Sequence, residues 1–300
     1  MDRTRICLLP ERGVLALGGP EARAFLQGLI TNDMEAVDST HAIYAALLTP
    51  QGKFLFDFFI VQAGEEFLLD CEAGRLADLA RRLGFYRLRA KVTIRDASAE
   101  YAVAAAPGPE GLAGFIPDAL PGTARAQDGG VLFADPRLAA MGARLLLPPA
   151  ALDKYEKAPT EDYHRLRIQL GLAEGAGDIA VEKYFLLEAN FEELNGVDFK
   201  KGCYVGQELV SRMKHRGVVR KRILPVTVDG PCPPPGTPIL AAGREVGLLH
   251  SSQGTRALAF LRLSALAPGA PALQSGDAIL TPALPAWLNL AFPETENDHD

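Results

Sequence analysis

Three hundred residues at 32.1 kDa exceed one comfortable hydrophobic core and call for two or three domains. With 48% hydrophobic and 23% charged residues, the composition is that of a globular protein and excludes disordered, collagen-like and coiled-coil classes. A net charge of −6 argues against a body coated with cation for nucleic acid or membrane, and four cysteines make no disulfide scaffold.

Reading forward from Met1, the segment to Pro10 carries an early acid and a very short apolar stretch, neither signal peptide nor transit peptide in texture. No run of about 18 apolar residues follows, so no bilayer span is expected. A reduced, cytoplasmic compartment is the simplest expectation. Gly19-Pro20 opens a helix with Ala22, Phe25, Leu26 and Leu29 on one face. Ile43 to Leu48 and Lys53 to Val61 then flank the turn Thr49-Pro50-Gln51-Gly52 as a hairpin, and Glu66 to Cys71 reads as a third strand. A helix bearing Leu76, Leu79 and Leu83 comes next, followed by short strands at 91–96, 101–106, 131–134 and 143–147. This texture is α+β rather than a doubly wound parallel sheet.

Past Pro148-Pro149 the pattern changes. Thr160 is placed to cap a helix that runs to Gly171, and a second helix is expected from about Gly206 to Met213. A strand over 218–228, the breaker Gly230-Pro231-Cys232-Pro233-Pro234-Pro235-Gly236 and short strands at 244–252, 256–263 and 278–280 suggest a small closing β-barrel. The acidic segment Glu294–Asp300 reads as a disordered tail.

Phosphate-binding patterns are missing, and no Cys-x-x-Cys or clustered histidine supplies a local metal site. Two features carry chemistry. Cys203 lies in Lys200-Lys201-Gly202-Cys203-Tyr204-Val205-Gly206, with lysines before it and a helix start after it. Cation and helix N-terminus both favour thiolate, and the alternative is a structural turn that happens to hold a cysteine. Asp57 interrupts the apolar strand Phe54-Leu55-Phe56-Asp57-Phe58-Phe59-Ile60, and alternation sets it on one face with Leu55 and Phe59. Its charge needs donors: an arginine such as Arg87 or Arg89, or the N–H edge of a pterin-like ring. Between Lys200 and Arg222 the chain holds eight Lys/Arg and one acid, a charge of +7, against −13 elsewhere. Such a strip suits an anionic partner (a polyglutamate tail, phosphate, RNA or an acidic protein face) or is a solvated face with local ion pairs.

The stretch Lys201-Gly202-Cys203-Tyr204-Val205-Gly206-Gln207-Glu208 resembles the signature of the YgfZ family of folate-binding proteins. That family is related to the glycine cleavage T-protein and includes mitochondrial iron–sulfur assembly factors. The resemblance extends to His215–Arg222, Phe25–Asp33 and Leu48–Lys53. It implies a T-protein-like fold, with two intertwined α+β domains around a central folate channel and a C-terminal β-barrel. The implied boundaries are 1–46 plus 138–222, 47–137 and 223–293, with 294–300 as the tail. It further implies tetrahydrofolate and a transient iron–sulfur cluster, with iron–sulfur assembly proteins or client enzymes as partners, tRNA-modifying ones included.

By the same resemblance Cys203 and Lys201 match the family's cysteine and lysine, and Asp57 matches the T-protein's folate aspartate. The T-protein's pterin-binding glutamate is replaced by Gln169, which offers an amide and no charge. Glu188 is a second carboxylate candidate for the channel. The expected function is a folate-binding accessory protein for iron–sulfur enzymes. Competing with it are a folate-dependent one-carbon transferase using Asp57 as base and direct tRNA binding through the cationic strip.

Overall fold

The computed structural model describes residues 5–217 and 219–290. β1 (Arg5–Leu8) starts one sheet, and β2 (Arg12–Gly18) crosses at once into another. After α1 (Ala22–Gln27), the strands β3 (Ile43–Leu48), β4 (Phe54–Ala63) and β5 (Glu66–Glu72) pair antiparallel in sequence. α2 (Leu76–Arg87) buries Leu76, Leu79 and Leu83, and β6 (Thr93–Asp96) completes a five-stranded sheet of order β3-β4-β5-β2-β6.

The chain then rejoins the first sheet through β7 (Ala102–Pro107), α3 (Gly108–Phe115), β8 (Ala124–Gln127), β9 (Gly130–Ala134) and β10 (Gly142–Leu147). α4 (Pro149–Leu152) and β11 (Glu156–Ala158) close that sheet in the order β11-β1-β7-β10-β9-β8. α5 (Thr160–Leu170), α6 (Gly175–Asp178) and α7 (Gln207–Arg216) lead to the third part. There β12 (Lys221–Asp229), β13 (Pro238–Ala241), β14 (Arg244–Gln253), β15 (Arg256–Arg262), β16 (Leu273–Ser275) and β17 (Ala278–Pro282) form a closed barrel.

The sheets divide the chain differently from the boundaries at 46/47 and 137/138. The first cut falls inside β3, which ladders with β4, and the second falls between the paired strands β9 and β10. Backbone groups committed to one ladder cannot be shared between two independent bodies. The chain enters the first sheet, leaves it for residues 12–96, and returns. The strand expected from 218 starts at Lys221, and both Val218 and the tail 294–300 lie outside the described residues. Thr160 does not cap α5; its hydroxyl donates to the Leu8 carbonyl (2.8 Å), tying that helix to β1.

Where the three parts meet they share one core. It contains Val14 and Phe59 from one sheet, Val103 and Phe133 from the other, Ile168 from α5, and Ile223 and Phe260 from the barrel. Full burial of side chains this size contributes about 1.5–3 kcal/mol each, so the parts are locked together.

Candidate functional site

The Cys203 loop is built by two glycines. Gly206 precedes α7 at φ +85°, and a Cβ there would sit 2.6 Å from the Thr49 carbonyl oxygen and 3.1 Å from Gly52 Cα. Gly52, at φ +72°, approaches Leu209 and the Gly206 carbonyl equally closely. The turn Thr49–Gly52 and the segment Tyr204–Gln207 are therefore pressed backbone to backbone. Gly206→Ala should cost about 1–3 kcal/mol through the positive φ and the overlap, read as a lower urea midpoint. An unchanged midpoint would show that the two turns are not in contact.

Cys203 itself is exposed, and a Cβ added at the neighbouring Gly202 would meet nothing within 4 Å. The sulfur is open to solvent and makes no hydrogen bond among the described residues. Lys201, two residues earlier, points the other way and is buried. Its Nζ donates to the carbonyls of Gln27 (2.9 Å), Ile30 (2.8 Å) and Asn32 (2.7 Å). Burial pushes this ammonium down to about 8, with Asp33 and Asp198 opposing. Asp198 Oδ1 accepts from the Lys200 and Lys201 amides, and the Asp198 amide donates to the Thr31 carbonyl.

Of the cationic strip, Arg212 pairs with Glu208 (2.8 Å) and Lys214 with Glu192. Lys200, His215, Arg216 and Arg220 are exposed and have no ion pair among the described residues. Part of the strip is thus a solvated face with local pairs and part is uncompensated.

Asp57 lies in the shared centre, 3% exposed. A β-bulge at Leu55 shifts the register between β3 and β4, so Leu55 and Phe56 both enter the core under α2. Asp57 therefore faces with Phe54 and Phe59, not with Leu55. Arg87 and Arg89 are exposed and do not reach it. Its Oδ2 accepts from the Tyr44 hydroxyl (2.9 Å) and the Gly175 amide (3.3 Å). Oδ1 has no partner among the described residues yet is not fully enclosed. Burial pushes the Asp57 carboxyl up, against the pull of Arg12.

Beside it is an ionic network that sequence reasoning missed. Arg12 and Arg144 bind opposite oxygens of Asp70 (2.7 and 2.6 Å). Arg137 bridges Asp135 (2.8 Å) and Glu174 (2.9 Å). The Tyr163 hydroxyl accepts from Arg144 (2.7 Å) and donates to Glu174 (2.6 Å), and Arg167 holds Asp178 (2.6 Å). Burial disfavours the Glu174 charge, but Arg12, Arg137, Arg144 and Arg167 outweigh it and hold the carboxyl well below its ordinary range. The guanidinium groups of Arg12, Arg137 and Arg144 also surround the Phe59 ring, at 5.8, 4.7 and 4.0 Å. The signal was present in the sequence: Arg144, like Asp57, is the single charge of an apolar strand, and Asp70 is the one charge in the interior of β5.

The other folate candidates do not join this cluster. Gln169 is exposed on α5, with its amide free of hydrogen bonds among the described residues. Glu188 is half-buried and accepts from the Phe185 amide (2.9 Å) at the start of the 3-10 turn Leu186–Ala189. One carboxylate oxygen is committed there, and the other makes no hydrogen bond among the described residues. Among the described residues no three His, Cys, Asp or Glu side chains are gathered as metal ligands, and no helix is long and apolar enough to cross a membrane.

This architecture is an aminomethyltransferase-like α+β fold completed by a closed six-stranded barrel. It superposes on the glycine cleavage system aminomethyltransferase T from Bartonella henselae with a TM-score of 0.76, covering 95% of this chain and 87% of the other at 16% identity. At that identity the likeness concerns the fold. Residues 11–113 match the family described as GCVT N-terminal domain, and residues 220–290 the CAF17 C-terminal beta-barrel domain. The mitochondrial iron–sulfur cluster assembly factor IBA57 of Mus musculus is 34% identical over 280 residues, covering 85% of this chain and 76% of that protein. Its Homo sapiens counterpart is 35% identical, covering 84% and 76%. The chain belongs to the family of iron–sulfur cluster assembly factor IBA57. These relatives are mitochondrial, which overturns the cytoplasmic expectation; the texture of ten N-terminal residues was too thin a basis for it.

Proposed function

We propose that this protein is a tetrahydrofolate-binding accessory factor for the assembly or repair of iron–sulfur enzymes, tRNA-modifying ones included. The observation that carries the reading is the exposed Cys203 thiol on a loop pinned by Gly206 and Lys201, in a chain whose relatives are named assembly factors. A thiolate is a ligand for iron and for clusters. With one such sulfur on this loop, the remaining ligands of a transferred cluster come from the partner protein. Anaerobic isolation with an iron–sulfur assembly partner should yield cluster absorption that the Cys203→Ser variant lacks. Equal spectra from both would remove the cysteine from cluster contact.

The centre at Asp57 is the proposed tetrahydrofolate contact. One carboxyl oxygen is anchored by Tyr44 and Gly175, which orients the free Oδ1 as an acceptor for a ring N–H. Gln169, exposed with a free amide, and Glu188, with one oxygen on the Phe185 amide, both lie outside the Asp57 cluster and are weaker candidates than Asp57. When bound, the folate supplies one-carbon chemistry; the chain's own contribution is to hold and orient the ring. Asp57→Asn should weaken tetrahydrofolate binding by about tenfold in calorimetry, the scale of one charge-assisted hydrogen bond. Because burial already raises the Asp57 carboxyl, ionising it opposes folding at neutral pH, and the asparagine variant should be at least as stable as the parent. Unchanged affinity would leave Asp57 as a purely structural member of the centre.

A further inference from the structure

We infer that Lys201 is a positioning residue: its ammonium straps the Cys203 loop to the turn after α1 and does not act on the sulfur directly. The consequence for function rests on the reading of Cys203 as the working thiol. All three Nζ hydrogens are used, on carbonyls of Gln27, Ile30 and Asn32 at 2.7–2.9 Å. No donor remains for a thiolate, and the side chain is buried while Cys203 is exposed. Gln27 is the last residue of α1, so the strap grips the end of a helix whose terminal carbonyls need donors.

The same two segments are joined again by the Asp198 amide on the Thr31 carbonyl and by the Thr31 hydroxyl on the Gly196 carbonyl (2.7 Å). The Tyr204 ring lies 5.2 Å from the ammonium and covers it. Asp33 and Asp198 are the acids that face it. Three converging carbonyls suit a compact tetrahedral ammonium; the planar guanidinium fork of arginine does not match them. This separates the two roles a lysine beside a cysteine could have. A charge acting through space on the sulfur is replaceable by arginine, whereas a strap of this geometry is not.

The test compares Lys201, Lys201→Met and Lys201→Arg in a Cys232→Ser background, which removes the other exposed thiol. Amide exchange of residues 198–206 should accelerate about tenfold or more in both variants. The pH midpoint of Cys203 alkylation by iodoacetamide should stay within about 0.3 unit of the parent. Parental exchange in Lys201→Arg overturns the strap. So does a midpoint raised by about one unit in Lys201→Met and restored in Lys201→Arg, which is the signature of a direct charge effect. A third arm needs no variant. Acetylation of the intact protein should label exposed Lys200 at least about tenfold faster than Lys201, in line with the closed state of a satisfied buried amine, and equal labelling overturns the proposal. None of these readouts requires a cluster, so failure of the strap and failure of the iron–sulfur reading are told apart.

Discussion

Cys203→Ser is expected to abolish support of cluster-dependent tRNA thiolation in a deletion strain while leaving the protein folded and its tetrahydrofolate affinity intact. The sulfur is exposed and makes no hydrogen bond among the described residues, so its loss should change stability by no more than about 0.5 kcal/mol. Serine cannot replace it, because a hydroxyl does not ionise near neutral pH and is a poor ligand for iron. Asp57 sits in the enclosed centre and Cys203 on the surface, which is why binding and cluster support should separate in this variant. Full complementation by the serine variant would show that the thiol has no part in the mechanism.

The largest stability effect is expected at Arg144. Replacing it with methionine keeps most of the volume but strips Asp70 Oδ2 of its partner and removes the closer of the two donors to the Tyr163 hydroxyl, leaving Arg137 at 3.3 Å. Asp70 and Arg144 are fully or almost fully buried, so Asp70 keeps only Arg12, on Oδ1, and its Oδ2 is left without a donor where water cannot reach it. Breaking a buried pair from one side costs about 3–5 kcal/mol, a large part of the roughly 5–15 kcal/mol that holds a folded domain. The urea midpoint should fall sharply, whereas Arg165→Met, which removes an exposed pair with Asp162, should barely move it. Similar midpoints for the two variants would mean that the central charges are hydrated.

Acid should act on the same network. Four arginines hold the folded Glu174 carboxyl well below its ordinary value of 4.5. Its contribution to stability is therefore complete above 4.5 and is lost as pH falls through the lower folded value. Asp57 runs the opposite way: burial raises its folded value, so its contribution is complete below the ordinary 3.8 and is lost as pH rises through the folded value.

Much of the local structure was legible because it rests on patterns a few residues long. The helix over 76–87 announces itself by Leu76, Leu79 and Leu83, and the 43–61 hairpin by its turn residues. Where reading failed, a distant contact had won. Gly108–Phe115 carries glycines and a proline, and no element is expected between the strands at 101–106 and 131–134, yet Leu112 and Phe115 pack against the first sheet and hold a helix there. Thr160 has the side chain of a cap, but the Leu8 carbonyl claims its hydroxyl. The face of Asp57 was misassigned because a bulge at Leu55 breaks the two-residue alternation, and nothing in Phe54–Ile60 marks it.

The octapeptide around Cys203 pointed to the iron–sulfur assembly family and to a candidate thiol, since glycine freedom and thiol chemistry are properties of the residues themselves. Only the folded chain decided what surrounds them. That Lys201 turns away from the sulfur, that Gly206 meets Gly52, and that four arginines close around Glu174 depend on segments more than a hundred residues apart for the first two. Such pairings follow from which donor finds which acceptor once water is excluded, and that selection is made by packing, not by sequence order.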